Sequence, residues 1–310
     1  MTRRRAATAV AALSAAVVSA VASAWLASPS AQGLRTRVAL RLRGTTGRIV
    51  TASAIAPSLR AAVVATEDER FYAHDGVDVV GVLRALPYDL THLSLAQGAS
   101  TITEQVAKLL YLHGNDHNPW RKLEDATVAL ELESRYGKEQ ILAAYLDSVY
   151  FGEGAYGVAA ASERYFGVPP ARLDTAQSSL LAGLIQAPSA YDPRRHPGLA
   201  RARQVDVLRS LVRTGYLTDE EAAAALARPL RLRGGDTLAA VHGVDLAPGP
   251  AFTWWQLWAG AAIALAGTAM LAAIRFGALG RAHARLVLKL ASIALLVVGV
   301  GLAVRAFRTA

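Results

Sequence analysis

Three stretches in the first half of the chain combine acidic, basic and hydroxylated side chains in patterns that could support catalysis. The earliest, residues 67–76, begins with Glu67 and follows an apolar helical run at residues 59–65. If that helix ends near Glu67, partial burial and the negative end of the helix dipole both raise the pKa of the Glu67 carboxyl group. A raised pKa suits a general base, whereas a solvated helix end explains the same residues without catalysis.

The second stretch, residues 98–105, is rich in small and hydroxylated side chains and is followed by Lys108. Its backbone N–H and side-chain O–H groups could hold phosphate oxygens, as helix N-termini often do. The same residues could equally be the capped start of a helix. The sequence leaves both interpretations open.

The third stretch places Arg121 and Lys122 within about one helical turn of Glu124 and Asp125. Cations beside an acid suit a pyrophosphate leaving group, whose charge must be neutralised as it departs. A ladder of surface ion pairs explains the same residues without function.

The elements that must position these stretches are mostly helical. Between residues 57 and 230, apolar residues recur at helical spacing, and residues 138–150 predict one such helix. Thr218 and Glu221 predict a capping box at the start of another. Residues 34–43 instead alternate with period two, which predicts a short amphipathic strand that is either a solvated face or a basic strip against anionic headgroups.

Composition excludes several classes of protein. The chain has 310 residues, of which 53% are hydrophobic and 18% charged, so it is not a disordered tail. It has no cysteine, which excludes a disulfide framework and a thiolate zinc site. Lys and Arg number 33 against 24 for Asp and Glu. We assign this positive excess to membrane flanks and expect no nucleic-acid partner.

Three long apolar segments predict membrane helices. Residues 6–27 and 252–274 carry no charge, and residues 286–304 carry only Lys289, near one end. At a rise of about 1.5 Å per residue, each segment is long enough for a hydrocarbon layer of roughly 30 Å. A cleaved signal peptide is the alternative for the first segment.

The arginines that flank these segments predict the topology. Arginines at positions 3–5 and in the connector at 275–285 belong on the cytoplasmic side, so the large middle domain lies outside the cytoplasm. The expected divisions are an anchor at 1–27, a membrane-proximal basic strand and linker at 28–56, a catalytic domain at 57–230, a linker at 231–251, a helical hairpin at 252–304 and a tail at 305–310.

The order of the motifs carries more information than any one of them. Residues 67–74, 98–105, 121–125, 150–157 and 181–193 follow one another in a pattern that resembles the peptidoglycan glycosyltransferase family. That family comprises the polymerase module of penicillin-binding proteins and its monofunctional relatives. The resemblance implies a mainly α fold, a lysozyme-like helical glycosyltransferase domain with a small membrane-associated jaw.

The resemblance also implies roles for residues. Glu67 would remove the proton from the 4-hydroxyl of the acceptor sugar, which then attacks the anomeric carbon of lipid II with inversion and loss of undecaprenyl pyrophosphate. Asp125 would be the second catalytic acid. The implied substrate-binding residues are Asp68, Phe71, His74, Ser100, Thr101, Gln105, Lys108, Arg121 and Lys122. Mg²⁺ or Mn²⁺ would act on the pyrophosphate, with no metal ligand assigned.

The resemblance further implies lipid II, the growing glycan strand, the membrane and proteins of cell-wall synthesis as partners. The expected location is the bacterial cytoplasmic membrane, with the catalytic domain on its extracytoplasmic side. Residues 231–251 leave no room for a transpeptidase domain, so we expect polymerisation without cross-linking.

The chain departs from the family pattern at three positions. Ala99 and Glu104 stand where the family has Gly and Gln, and Asp125 stands where it has Glu. The added methyl group and negative charge would weaken donor binding.

Two other functions remain open. A glycan-cleaving, lysozyme-like enzyme would use a protonated Glu67 as a general acid. A non-catalytic scaffold or binding protein of the cell-wall machinery would keep the fold without turnover.

Overall fold

A computed structural model of the chain describes residues 29–78, 80–81, 100–112 and 119–246. The chain divides into two compact units, and the unit made of Met1–Asp78 and Ser100–Gly249 contains nearly all of the described residues. Within the described residues, no helix has the length and apolar character needed to cross a membrane. The predicted membrane segments at 6–27, 252–274 and 286–304 lie outside the described residues.

The described part of the chain is mainly helical, as the sequence predicts. Its α-helices are α1 (Leu34–Arg41), α2 (Pro57–Glu67), α3 (Ile102–Leu110), α4 (Pro119–Arg135), α5 (Lys138–Ser148), α6 (Val158–Phe166), α7 (Thr175–Leu184), α8 (Pro197–Arg213) and α9 (Asp219–Leu226). Short 3₁₀ turns occur at Ala52–Ala54, Phe71–Ala73 and Pro170–Arg172. Strands β1 (Leu230–Arg231) and β2 (Thr237–Leu238) pair antiparallel, with Leu230 opposite Leu238.

Local sequence explains where several helices begin. The Glu221 backbone N–H donates to Thr218 Oγ1 at 3.2 Å, and the Thr218 N–H donates to the Glu221 carboxylate at 2.9 Å, which confirms the predicted capping box of α9. Thr101 and Glu104 form a second capping box of this kind at the start of α3. Pro57 begins α2, because its fixed φ and missing N–H suit the first position of a helix.

One hydrophobic core joins the helices that carry the candidate site. α2 packs against α7 and α8, and α3 packs against α4 and α5. Leu59, Ile102, Leu146, Leu181 and Leu208 of these helices are fully buried in it. Burying such a side chain stabilises the fold by roughly 1.5–3 kcal/mol. The shared core therefore fixes the end of α2 relative to α3.

Residues 34–41 form the helix α1, so the predicted strand is wrong. Leu34, Val38 and Leu42 are buried and lie four residues apart, a spacing that fits one helix face and one strand face equally. Leu40 decides between the two, because a strand with period two would bury it on the same face. Leu40 is instead 48% exposed.

Two arginines of α1 bind the ends of other helices, and the alternative of a basic strip against anionic headgroups stays a prediction. Arg37 Nη1 donates to the Leu110 carbonyl at 3.0 Å, and its guanidinium lies 4.3 Å from the centre of the Tyr111 ring. Arg41 Nε donates to the Ser148 carbonyl at 3.3 Å. Both carbonyls end a helix, where the helix dipole favours a cation.

The motif at residues 150–157 is a turn that packs on α5. The Gly157 N–H donates to the Val149 carbonyl at 2.9 Å. Gly157 has φ of 78°, and a Cβ at this position would lie 2.6 Å from the Asp147 carbonyl oxygen. Only glycine fits there, so the requirement for Gly157 is structural.

Helix α5 carries a buried carboxyl group, Asp147, which is 1% exposed. Its Oδ2 accepts from the Val50 N–H at 3.0 Å, whereas Oδ1 has no hydrogen-bond partner in the described part of the chain. Burial raises the pKa of Asp147 from 3.8 to about 7, although the Val50 hydrogen bond and the charge of Arg35 lower it. Between pH 3.8 and about pH 7, Asp147 keeps a proton in the folded chain that it has lost in the unfolded chain, so the stability of the fold falls as the pH rises.

Asp147→Asn should stabilise the protein at high pH, because the amide buries no charge and can still accept from Val50. Three pKa units correspond to about 4 kcal/mol, so we expect a gain of about 2–4 kcal/mol at pH 8 and about 1 kcal/mol or less at pH 4.5. Chemical denaturation of the purified full chain in detergent measures both values. The control is Asp206→Asn, an exposed carboxylate that pairs with Arg209. Equal effects of Asp147→Asn at the two pH values would contradict the assignment.

Candidate active site

The end of α2 places the Glu67 carboxyl group against α3. Gln105 Nε2 donates a hydrogen bond to Glu67 Oε2 at 3.0 Å. The hydroxyl of Tyr145, a fully buried residue of α5, donates to Gln105 Oε1 at 2.9 Å. An amide has a carbonyl on one side and an NH₂ group on the other. Tyr145 therefore determines that the NH₂ group of Gln105 faces Glu67.

Burial is the largest influence on the pKa of Glu67 and raises it above the ordinary value of 4.5. The hydrogen bond from Gln105 and the positive charge of Arg203 lower this pKa, and the negative charge of Asp68 raises it. The predicted helix end and the predicted raised pKa are both confirmed. A carboxylate of this kind is a stronger base than an exposed one.

Arg203 of α8 is a cation near Glu67 that sequence reasoning missed. Its Nε is buried and has no hydrogen-bond partner in the described residues. Helix α7 makes room for it with Gly183, where a Cβ would lie 3.0 Å from Arg203 Cγ. The signal was available, since a glycine inside a helix often marks the close approach of another group.

Asp68, Phe71 and His74 make contacts inside the domain. Asp68 Oδ1 and His74 Nε2 are 3.0 Å apart, and Asp68 Oδ2 accepts from the Ile102 N–H at 2.9 Å. Phe71 is fully buried, with Lys138 Nζ 4.4 Å from the centre of its ring. These contacts tie the segment after α2 to the start of α3 and to α5. The substrate-binding role assigned to the three residues stays a prediction.

The start of α3 is a capped helix, which is one of the two interpretations that the sequence left open. Thr101 Oγ1 accepts from the Glu104 N–H at 3.0 Å and donates to the Gly76 carbonyl at 2.6 Å. The Thr101 N–H donates to the Glu104 carboxylate at 2.8 Å, and the Ile102 N–H donates to Asp68. These backbone donors already have partners within the chain. Residues 98 and 99 of this stretch lie outside the described residues.

Side chains predicted to hold the pyrophosphate gather where α3 and α4 meet. Lys122 Nζ donates to Ser100 Oγ at 2.9 Å and lies 3.1 Å from Glu104 Oε1. Arg121 Nε lies 3.7 Å from Asp125 Oδ1. Lys122 and Ser100 are exposed, so the group is open to a ligand.

Asp125 lies among these cations. Burial is the main cause that raises its pKa above 3.8; the charges of Lys122, Arg121 and Lys108 lower it, and the charge of Glu104 raises it. The predicted second acid and three predicted cations therefore share one electrostatic environment.

Helix α3 connects the two acidic groups. Gln105 contacts Glu67, while Glu104 and Lys108 on the same helix act on Asp125. The donor-binding role assigned to Gln105 stays a prediction. Tyr145 was missed as part of the site, although the predicted helix at 138–150 contained it. A buried tyrosine hydroxyl needs a partner, which is the signal that could have found it.

Known proteins resemble this chain over part of its length. A family model described as Transglycosylase matches residues 35–212. A protein of Cupriavidus necator named as a transglycosylase is 46% identical over 175 residues, which are 56% of this chain and 75% of that protein. Penicillin-binding protein 1A of Aquifex aeolicus is 39% identical over 172 residues, which are 56% of this chain but 24% of the relative.

Among solved structures, penicillin-binding protein 1A from Haemophilus influenzae matches with 21% identity and a TM-score of 0.38, over 62% of this chain and 19% of that one. The chain thus spans three quarters of the Cupriavidus protein and about a quarter of the Aquifex one. Because the family model covers more than half of the 310 residues, the chain belongs to the transglycosylase family, the peptidoglycan glycosyltransferases, and is a glycosyltransferase.

Proposed function

We propose that this chain polymerises lipid II into glycan strands with release of undecaprenyl pyrophosphate, anchored in the bacterial cytoplasmic membrane with its catalytic domain outside. The observation that carries the proposal is the hydrogen-bond chain from Tyr145 through Gln105 to Glu67. It supports Glu67 as the group that takes the proton from the acceptor hydroxyl.

The direction of these hydrogen bonds favours a general base over a general acid. The NH₂ group of Gln105 donates to Glu67 Oε2, and such a bond is stronger to an ionised carboxylate than to a carboxylic acid, so it lowers the pKa of Glu67. A lysozyme-like acid would instead have to hold a proton and present it to a leaving group. The orientation that Tyr145 imposes on Gln105 thus stabilises the ionised form of Glu67, which polymerisation requires.

The leaving group would be received where α3 and α4 meet. Lys108, Arg121 and Lys122 supply positive charge there, and cations placed where charge develops stabilise the departing diphosphate. A base on one side of the reacting carbon and cations on the other is the arrangement that glycosyl transfer from a lipid diphosphate needs.

A divalent cation, Mg²⁺ or Mn²⁺, would neutralise part of the diphosphate charge in this region. No group of three or more His, Cys, Asp or Glu side chains that could hold a metal ion occurs among the described residues. Mg²⁺ at phosphate sites needs only one or two carboxylates besides phosphate oxygens and water. Asp125 fits that role, because its Oδ1 is buried and accepts no hydrogen bond within the described part, although Arg121 Nε lies 3.7 Å from it.

Membrane anchoring is supported by sequence alone, through the segments at 6–27, 252–274 and 286–304. A substrate with a polyprenyl chain stays in the bilayer, so an anchor keeps the domain beside it.

Glu67→Gln should abolish polymerisation, because the amide cannot accept the proton. General-base catalysis contributes about 100- to 10,000-fold, and we expect a loss in that range. The assay follows chain growth from labelled lipid II with the purified full chain in detergent. Glu69→Gln is the matched control, since Glu69 is exposed and pairs with Arg213. Full activity of Glu67→Gln would refute the proposal.

Tyr145→Phe should lower kcat by about tenfold and move the acid limb of the pH–rate profile to higher pH. The ring stays in place, but the Gln105 amide loses the bond that orients it, and the hydrogen bond that lowers the pKa of Glu67 weakens. Tyr165→Phe is the control, because this buried hydroxyl donates to the Phe151 carbonyl at 2.9 Å, away from the site. Similar profiles for the two variants would argue against a positioning role of Tyr145.

Arg203→Gln should also move the acid limb to higher pH, because removing a nearby positive charge raises the pKa of Glu67 further. The base is then protonated over a wider pH range. Arg209→Gln, an exposed arginine of the same helix, provides the comparison. A limb that stays in place, or moves to lower pH, would show that Arg203 does not act on Glu67.

A further inference from the structure

Glu104 is a carboxylate where the family pattern has an amide, and its two oxygens have different partners. Oε2 accepts from the Thr101 N–H at 2.8 Å and completes the cap of α3. Oε1 lies 3.1 Å from Lys122 Nζ. Lys122 Nζ also donates to Ser100 Oγ at 2.9 Å. One buried acid therefore both caps the helix and holds the cation.

The two members of this ion pair are exposed to different extents. The Glu104 side chain is 4% exposed and the Lys122 side chain is 49% exposed. A ligand that approaches from solvent meets the ammonium group, with the carboxylate directly behind it. The field of such a pair is that of a dipole, which falls off faster with distance than the field of a lone cation.

Other charged groups lie around the Glu104–Lys122 ion pair. The charge of Glu104 also reaches Asp125, whose pKa it raises. Arg121 lies 3.7 Å from both Glu124 and Asp125. Among the described residues of this group, three carboxylates lie near three cations; they are Glu104, Glu124 and Asp125 near Lys108, Arg121 and Lys122. The positive charge that a diphosphate would meet is therefore partly compensated.

We infer that Glu104 is an internal competitor for the diphosphate and sets the affinity of the donor site by compensating the charge of Lys122. This inference rests on the proposed function, because it takes the diphosphate of the lipid donor as the ligand of these cations. Glu104 acts through Lys122 and is therefore a positioning residue, not a catalytic one.

Glu104→Gln isolates the charge from the cap. A capping box accepts Gln as well as Glu at its third helical position, so the amide oxygen can still accept from Thr101. The amide carries no charge to offset that of Lys122. Lys122 then acts on a ligand as a full cation, and an anion should bind more tightly.

The test is the affinity of the purified full chain in detergent for inorganic pyrophosphate, measured by calorimetry without divalent cations. Glu104→Gln should lower the Kd by about 3- to 10-fold and the KM for lipid II in the same direction. In the Lys122→Ala background, Glu104→Gln should change the Kd by less than about twofold, because the effect passes through Lys122.

Glu221→Gln is the matched control. Glu221 occupies the same position of a capping box in α9, and its carboxylate accepts from the Thr218 N–H at 2.9 Å. This variant makes the same chemical change away from the cations, so it should leave the pyrophosphate Kd at the wild-type value. Thermal unfolding of each variant verifies that the fold is retained.

Several results would overturn the inference. An unchanged or raised Kd in Glu104→Gln would show that Glu104 supports binding or does not act on it. A gain that persists without Lys122 would show direct repulsion of the diphosphate by Glu104. If neither the wild type nor any variant binds pyrophosphate, the premise that these cations bind a diphosphate is wrong. Failure of the proposed function is a separate result. In that case the wild-type protein would not polymerise lipid II, whatever its Kd for pyrophosphate.

Discussion

A buried tyrosine hydroxyl must donate its hydrogen bond within the protein, and this constraint orients the site. Tyr145 is fully enclosed by the core, and Gln105 Oε1 is the acceptor that it meets. An unpaired buried polar group would cost about 1–3 kcal/mol, so the amide is held in one orientation. Glu67 is therefore offered a donor on one oxygen, although burial raises its pKa. The packing of Tyr145 in the core therefore orients the amide that hydrogen-bonds to Glu67.

Helix α3 positions other side chains of the site. Its first turn is capped by Thr101 and Glu104 and is tied to Asp68. Its next turns carry Gln105 toward Glu67 and Lys108 toward the cations of α4. A fixed α3 thus keeps the proposed base and the proposed leaving-group site in a constant relation. The buried charges of this helix are satisfied by named partners, which lets carboxylates persist in a largely apolar domain.

The sequence predicted what depends on local patterns and missed what depends on long-range contacts. The end of α2 at Glu67 and the cap at Thr218 follow from local spacing and were correct. The strand predicted at residues 34–43 was wrong, because a four-residue spacing satisfies both periods. The partners of Gln105 and Lys122 could not be predicted, since 38 and 22 residues separate them from Glu67 and Ser100.

The central claim is that Glu67 acts as a base although burial raises its pKa above the ordinary value. Infrared difference spectra between wild type and Glu67→Gln, recorded across a pH titration of the full chain, isolate the Glu67 carboxyl band. The account predicts that the carboxylate band is present at pH 7. As the pH is lowered, the band of the protonated form should replace it with a midpoint above pH 4.5, the ordinary pKa of Glu. A carboxyl group that is still protonated at pH 7 would contradict the account and favour a general acid.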